Sequence, residues 1–231
     1  MSLPFFFVAD LNNQTIVLDE DTSKHVIQVL RKKIGDKILL TNGKGIKTIA
    51  EITDDHRKHA SVTIVSTSTE AERKRKIGIA ISLVKNTSRF EWFLEKATEI
   101  GVTEIIPLIC ERTEKEKFRF DRMQQILISA MLQSQQACLP HLHEPTEFDQ
   151  VIHTNQFDQK FIAHCNEEEK KAFSEVDHQQ SSIILIGPEG DFTKEEITFA
   201  IQNDFIPVTL GKTRLRTETA GMVAATLLCI A

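Results

Sequence analysis

The chain has 231 residues, 41% of them hydrophobic and 26% charged. That balance supports a globular fold with its own core and excludes a disordered or fibrous chain. The formal net charge of −5 excludes a protein that coats nucleic acid through bulk positive charge.

The first 70 residues read as short strands around one helix. Pro4–Val8 is an apolar run. Thr22–Lys33 has helical spacing, with Val26, Val29 and Leu30 on one face. Lys37–Thr41 and Ile46–Thr53 flank the turn signal Asn42-Gly43-Lys44-Gly45, which predicts a hairpin. Ser61–Ser66 is β-branched and strand-like. A small β-barrel with one helix is expected over 1–72.

The run Arg73-Lys74-Arg75-Lys76 marks a change of charge and rhythm. Residues 1–76 carry 13 Lys and Arg against 10 Asp and Glu, and residues 77–231 carry 15 against 23. A basic appendage on an acidic body fits this asymmetry, and the run is either a phosphate contact or a solvated linker. From 73 to 231 strands and helices alternate. Strands are expected at Ile77–Val84, Glu104–Cys110, Phe161–His164, Ile183–Ile186 and Ile206–Leu210. Helices are expected at Ser88–Ile100, closed by Gly101, and at Asp121–Cys138. Two more are expected at Thr193–Asn203, opened by a Thr193/Glu196 capping box, and at Thr217–Ile230. Such alternation predicts an α/β domain with a mostly parallel sheet.

The last helix is apolar nearly all round, which predicts burial on more than one side, with Ala220, Gly221, Ala224 and Ala225 letting a partner approach. No apolar run reaches the ~20 residues of a membrane span. The N-terminus has no basic patch before an apolar core, so no secretory signal is expected. Cys110, Cys138, Cys165 and Cys229 form no C-x-x-C pair, so neither a disulfide framework nor a zinc ribbon is expected, and a cytoplasmic location is. No metal site is expected at Cys138, His141 and His143, which lack a fourth ligand.

Ligands of a parallel sheet bind beyond the carboxyl ends of its strands. Two such ends carry glycine: Ile186-Gly187-Pro188-Glu189-Gly190-Asp191 and Leu210-Gly211-Lys212-Thr213-Arg214-Leu215-Arg216-Thr217-Glu218-Thr219-Ala220. Neither is a GxGxxG motif or a P-loop. Each alone is read as a tight turn or as a place where ligand meets backbone.

Together the two loops resemble the ribosomal RNA small subunit methyltransferase E family, within the SPOUT class of knotted methyltransferases. His25-x-x-x-Val29-Leu30-Arg31 with Gly35-Asp36 is similar to that family's N-terminal motif. Lys85, Arg89, Glu91 and Glu95-Lys96-Ala97-Thr98-Glu99-Ile100-Gly101-Val102 are similar to a second segment, and Glu111-Arg112-Thr113 and Gln133-Ser134 fall in register. Three departures stand out. Asp191 replaces a second glycine, and is expected to cap the next helix. Gln135-Gln136-Ala137-Cys138 lacks a basic residue, and Thr213 stands where an arginine is usual, with Arg214 one place later.

The resemblance implies a PUA-like β-barrel that holds RNA, then a SPOUT-type α/β domain whose end is threaded into a deep trefoil knot. It implies a homodimer that uses S-adenosylmethionine (SAM) to methylate N3 of a uridine in 16S rRNA on the small ribosomal subunit. Ribose 2′-O or other-base methylation, or a non-catalytic assembly role, are the rival readings. The cofactor set it implies is Leu185, Ile186, Gly187, Pro188, Glu189 and Gly190 on the first loop. On the second it is Leu210, Gly211, Leu215, Arg216, Thr217, Thr219 and Ala220. Uracil N3 needs its proton removed or its imide charge stabilised. Arg216 is expected to do the second through the uracil oxygens, unless it holds the SAM carboxylate. Glu218 is either a base or a partner of the helix dipole. RNA contacts are expected at His25, Arg31, Lys32, Lys33, Arg73, Arg75, Arg89 and Arg112. For Arg89, with Glu91 and Glu95 on the same helix, a dimer contact or a solvated or internally paired face are the alternatives.

Overall fold

The computed structural model describes residues 3–70, 75–114, 117–153, 156–166, 170–177 and 179–230. Two compact units share the chain: Met1–Glu72 with Met131–Leu139, and Arg73–Ala130 with Pro140–Ala231.

The first unit is built on β1 (Phe5–Phe7), β2 (Thr15–Val17), α1 (Glu20–Lys24), β3 (Lys37–Thr41), β4 (Ile46–Asp54) and β5 (Ser61–Thr69). The sheet order is β1-β3-β4-β5-β2, antiparallel except for the parallel β1–β3 pair. The expected barrel is therefore an open five-stranded sheet with β1 and β2 at its edges. Its core is apolar, with Ile38, Leu40, Ile52, Val62 and Val26 fully buried. The expected hairpin is present, and its turn holds Gly43 and Gly45 at φ 74° and 81°.

The expected helix over Thr22–Lys33 is shorter and differently wound. Asp19 caps α1 by accepting from Thr22 N at 2.8 Å. After Lys24 the chain widens into a π-helical turn over His25–Val29, and Arg31 ends it with φ 54°. Val26 stays buried, but Val29 and Leu30 do not join it.

The second unit contains β6 (Ile77–Ser82), α2 (Thr87–Ile100), β7 (Glu104–Ile109), α3 (Phe120–Gln133), β8 (His141–Leu142), β9 (Thr146–Glu147), α4 (Phe148–Ile152), β10 (Gln159–Ala163), β11 (Lys171–Ala172), β12 (Ser182–Ile186), α5 (Lys194–Gln202), β13 (Ile206–Thr209) and α6 (Thr217–Ile230). The strand order is β11-β13-β10-β12-β6-β7-β8, with β9 also on β7, and each pairing is parallel. All residues of β6 and β12 are buried, as strands covered on both faces require. Gly101 at φ 105° closes α2, and Thr193 and Glu196 form the expected capping box on α5. Gly221 seats α6 close to β6 and α2, because a Cβ there would lie 2.7 Å from Ile81 Cδ1 and 2.8 Å from Phe93 Cε2. Of the four small residues expected to admit a partner, Gly221, Ala224 and Ala225 are buried within the chain and Ala220 is half-buried. No helix among the described residues is long and apolar enough to cross a membrane.

Candidate active site

Strand order places β13, β10 and β12 side by side, so the loops at their carboxyl ends meet. They enclose a cavity of about 490 Å³. Its walls are Ile186–Glu189 and Asp191 after β12, Ala163 and Cys165 after β10, Arg214–Thr217 with Ala220, and Arg89 from α2. An adjoining cavity of about 360 Å³ shares Ala163, Cys165, Arg214, Leu215 and Ala220, and continues along Val208–Thr213 past His164 and Lys170. Both lie in the size range of small-molecule sites.

Three side chains from outside and one of its own hold the Gly187–Asp191 loop. Thr217 Oγ1, buried at the start of α6, donates to Gly187 O at 3.0 Å. Arg112 donates to Gly190 O at 2.7 Å, and an Arg214 nitrogen lies 3.4 Å from Glu189 O. Asp191 has φ 62° and accepts from Cys165 N at 2.8 Å and Phe192 N at 2.9 Å. Asp191 therefore ties the β12 loop to the β10 loop and does not cap the next helix, a role Thr193 fills. The glycine at 187 has a packing reason: a Cβ there would lie 3.0 Å from the Phe192 ring. Gly211 has a conformational one, with φ 145° and no atom within 4 Å of the missing Cβ.

Charged residues line the larger of these two cavities. Arg89 lies between two carboxylates, 3.2 Å from Glu189 Oε1 and 3.7 Å from Glu218 Oε1. Glu218 is only 7% exposed, does not line the cavity, and its Oε2 has no hydrogen-bond partner among the described residues. Arg216 is exposed and lines the cavity. Among the described residues its guanidinium has no ion-pair or hydrogen-bond partner, in contrast to Arg89 and Arg214.

The sequence-predicted residues divide clearly. Ile186, Gly187, Pro188, Glu189, Leu210, Gly211, Leu215, Arg216, Thr217 and Ala220 come together around the two cavities. Leu185 lies in the core behind them, Gly190 turns its carbonyl to Arg112, and Thr219 is exposed outside the lining. Among the RNA candidates, Arg31 and Lys33 are exposed with His25, and Lys32 is half-buried. Arg75 donates to Leu228 O, which anchors it on α6. Arg73 lies outside the described residues. Glu91 pairs with Arg122, with Arg122 Nη2 and Glu91 Oε2 2.9 Å apart. Cys165 and Lys170 line the cavities without being among the residues expected from sequence. Their signal was the expected strand Phe161–His164, whose carboxyl end also carries ligand positions.

A model of the RNA methyltransferase domain matches residues 71–229, and a model of the RNA methyltransferase PUA domain matches residues 18–65. Ribosomal RNA small subunit methyltransferase E of Synechocystis is 31% identical over 218 residues, covering 91% of this chain and 71% of that protein. A probable rRNA-methyltransferase from Porphyromonas gingivalis superimposes with a TM-score of 0.92 at 37% identity, covering 98% of each chain. The structure of ribosomal RNA small subunit methyltransferase E from Neisseria gonorrhoeae bound to S-adenosyl methionine gives a TM-score of 0.86 at 29% identity, covering 97% of this chain and 96% of that one. On the length of these matches and the loop geometry that accompanies them, the chain belongs to the ribosomal RNA small subunit methyltransferase E family.

Proposed function

We propose that this chain methylates N3 of a uridine in 16S rRNA on the small ribosomal subunit, as a cytoplasmic homodimer whose C-terminal segment is threaded into a trefoil knot. Family membership makes it a SAM-dependent rRNA methyltransferase; the nucleotide atom, the dimer and the knot are our reading. In this reading 1–72 holds RNA and 73–231 carries the chemistry.

The observation that carries it is the paired cavity at the ends of β10, β12 and β13, pinned by the Thr217–Gly187 hydrogen bond. Its chemistry fits the donor. Apolar Ile186, Leu215 and Ala220 with the backbone of Gly187–Glu189 and Leu210–Gly211 suit an adenosyl group. Arg89, Glu189 and Asp191 suit a zwitterionic amino-acid tail. SAM supplies an electrophilic methyl, so the protein needs neither a covalent nucleophile nor a metal.

The protein's task is to make uracil N3 nucleophilic. Arg216, which lines the cavity and whose guanidinium has no ion-pair or hydrogen-bond partner among the described residues, faces the imide charge that develops on the uracil oxygens once the N3 proton leaves to solvent. Glu218 neutralises Arg89 from below and keeps it against Glu189, which makes it a positioning residue for that arginine. Calorimetric titration with SAM and mass mapping of 16S rRNA after incubation with small subunits test the reading. Binding of SAM and one N3-methyluridine are expected. A 2′-O-methyl product or another base would replace the proposed chemistry, and absent SAM binding would favour an assembly role.

A further inference from the structure

The chain that follows α1 turns apolar side chains outward. Helical spacing predicts Val26, Val29 and Leu30 on one buried face, yet Val29 is 67% exposed, Leu30 39% and Ile34 62%. The π-helical turn at His25–Val29 is the cause. Its wider winding rotates residues after Val26 off the face that a 3.6-residue repeat would bury. Isolated exposed apolar residues are ordinary. Here three fall within Val29–Ile34, interleaved with Arg31, Lys32 and Lys33.

The segment is fixed in place. Leu30 N donates to His25 O at 2.9 Å and Lys32 N to Val26 O at 3.1 Å. Asp36 Oδ2 accepts from Lys33 N at 2.9 Å, and Gly35 N donates to Ile52 O at 2.9 Å. Arg31 takes a left-handed φ of 54°, a conformation that costs a residue with a Cβ and is held by these bonds. A loop ordered before binding loses little entropy when it binds.

We propose that Val29, Leu30 and Ile34 form a base-contacting wedge for unpaired ribosomal RNA, with Arg31, Lys32 and Lys33 on the flanking phosphates. The proposal rests on the rRNA methyltransferase reading for the class of partner. The surface itself selects the form of RNA. Apolar side chains fit the faces of unstacked bases, which loops and ends expose and a duplex hides. A second copy of the chain is disfavoured, since a two-fold contact would set the three cations against their equals.

Val29 and Leu30 are exposed, so replacing both with serine leaves the core intact. Binding is measured with a hairpin RNA carrying 2-aminopurine in its loop and with a fully paired RNA of equal length. The V29S/L30S chain is expected to bind the hairpin about tenfold more weakly and to lose the 2-aminopurine fluorescence rise. Duplex affinity, the salt slope and SAM affinity stay as in the wild type. Replacing Arg31, Lys32 and Lys33 with alanine is expected to weaken both RNAs and flatten the salt slope. If the double variant melts early, Ile34→Ser takes its place with the same expected loss. Wild-type hairpin binding by the serine variants, equal loss on both RNAs, a smaller oligomer, or lost binding to anionic vesicles would each overturn the wedge. If the wild type binds SAM and both RNAs while the serine variants match it, only the wedge fails. If the wild type binds SAM but neither RNA, the wedge is overturned, while the methylating reading is judged by its own test on small subunits.

Discussion

Asp191 occupies a left-handed backbone position that glycine takes freely and other residues resist. A glycine, which the family resemblance places there, would take that conformation without strain. In this chain the carboxylate offsets the strain by accepting from Cys165 N and Phe192 N. Asp191→Ala loses both bonds and keeps the strain, so it is expected to cost about 2 kcal/mol. Asp191→Gly loses the same bonds but relieves the backbone, and is expected to cost about 1 kcal/mol. Urea unfolding measures both, and equal stability of Asp191→Ala and wild type would show that the carboxylate holds nothing. Arg216 is tested through turnover. It precedes the N-terminus of α6, where a cation is disfavoured unless another partner claims it. Arg216→Ala is expected to slow single-turnover methylation at saturating SAM by about 10²-fold and to change SAM affinity by less than about threefold. Arg216→Lys should rescue poorly, because a point charge cannot reproduce the planar fork. A large loss of SAM affinity would move Arg216 from the uracil to the cofactor.

The elements easiest to read were those buried on every side or capped by a clear signal. β6 and β12 are continuous apolar runs, α2 ends on Gly101, and α5 opens on its capping box. β2, β8, β9 and β11 have two or three residues each, too few for a periodicity to show. The expected helix Asp121–Cys138 stops at Gln133 for a reason no local pattern contains. Gln135 takes φ 57°, and the Ala137 carbonyl accepts from Gly45 N and Thr41 Oγ1 on the β3–β4 hairpin. On the Gln135–Cys138 side both contacts are made by the Ala137 carbonyl, so the absence of a basic side chain from that segment leaves them intact. The glycines after β12 and β13 marked half of the site in advance. The contribution of Cys165 and Asp191 depends on β10 pairing with both strands, which is long-range register.

One short strand has its own titratable anchor. β8 joins β7 opposite Glu104, and His143 Nε2 lies 3.0 Å from Glu104 Oε2. That hydrogen bond, with Lys76 assisting, holds the Glu104 carboxyl below its ordinary value despite the opposing effect of burial. A depressed folded value means that the stability is present above the unfolded carboxylate value of about 4.3 and is lost as pH falls through the folded one. Glu104→Gln is expected to melt lower than wild type at pH 7, by a free energy of about 2 kcal/mol. The gap should close as the buffer is taken down toward pH 3. A gap that persists at low pH would show that the pair contributes through packing and not through charge.

The terminal helix has more apolar surface than its own chain covers. Gly221, Ala224, Ala225 and Leu228 are buried, and Gly221 is pressed against Ile81 and Phe93. Met222, Val223 and Leu227 are only half-buried, and Ile230 is 70% exposed. A helix apolar beyond its packed stripe ordinarily has a second neighbour, and a symmetric copy of the chain is the simplest one available. Light scattering is therefore expected to give about twice the 26.2 kDa chain mass at micromolar concentration. Leu227→Glu with Ile230→Glu places charge on the uncovered side and is expected to give a folded 26.2 kDa particle. Gly221→Val acts on the other side, where its side chain meets β6 and α2, and should lower the melting temperature. A wild-type particle of 26.2 kDa would defeat the dimer outright. If the glutamate variants melt early while remaining dimeric, the outer face of α6 belongs to the chain's own core and the interface lies elsewhere.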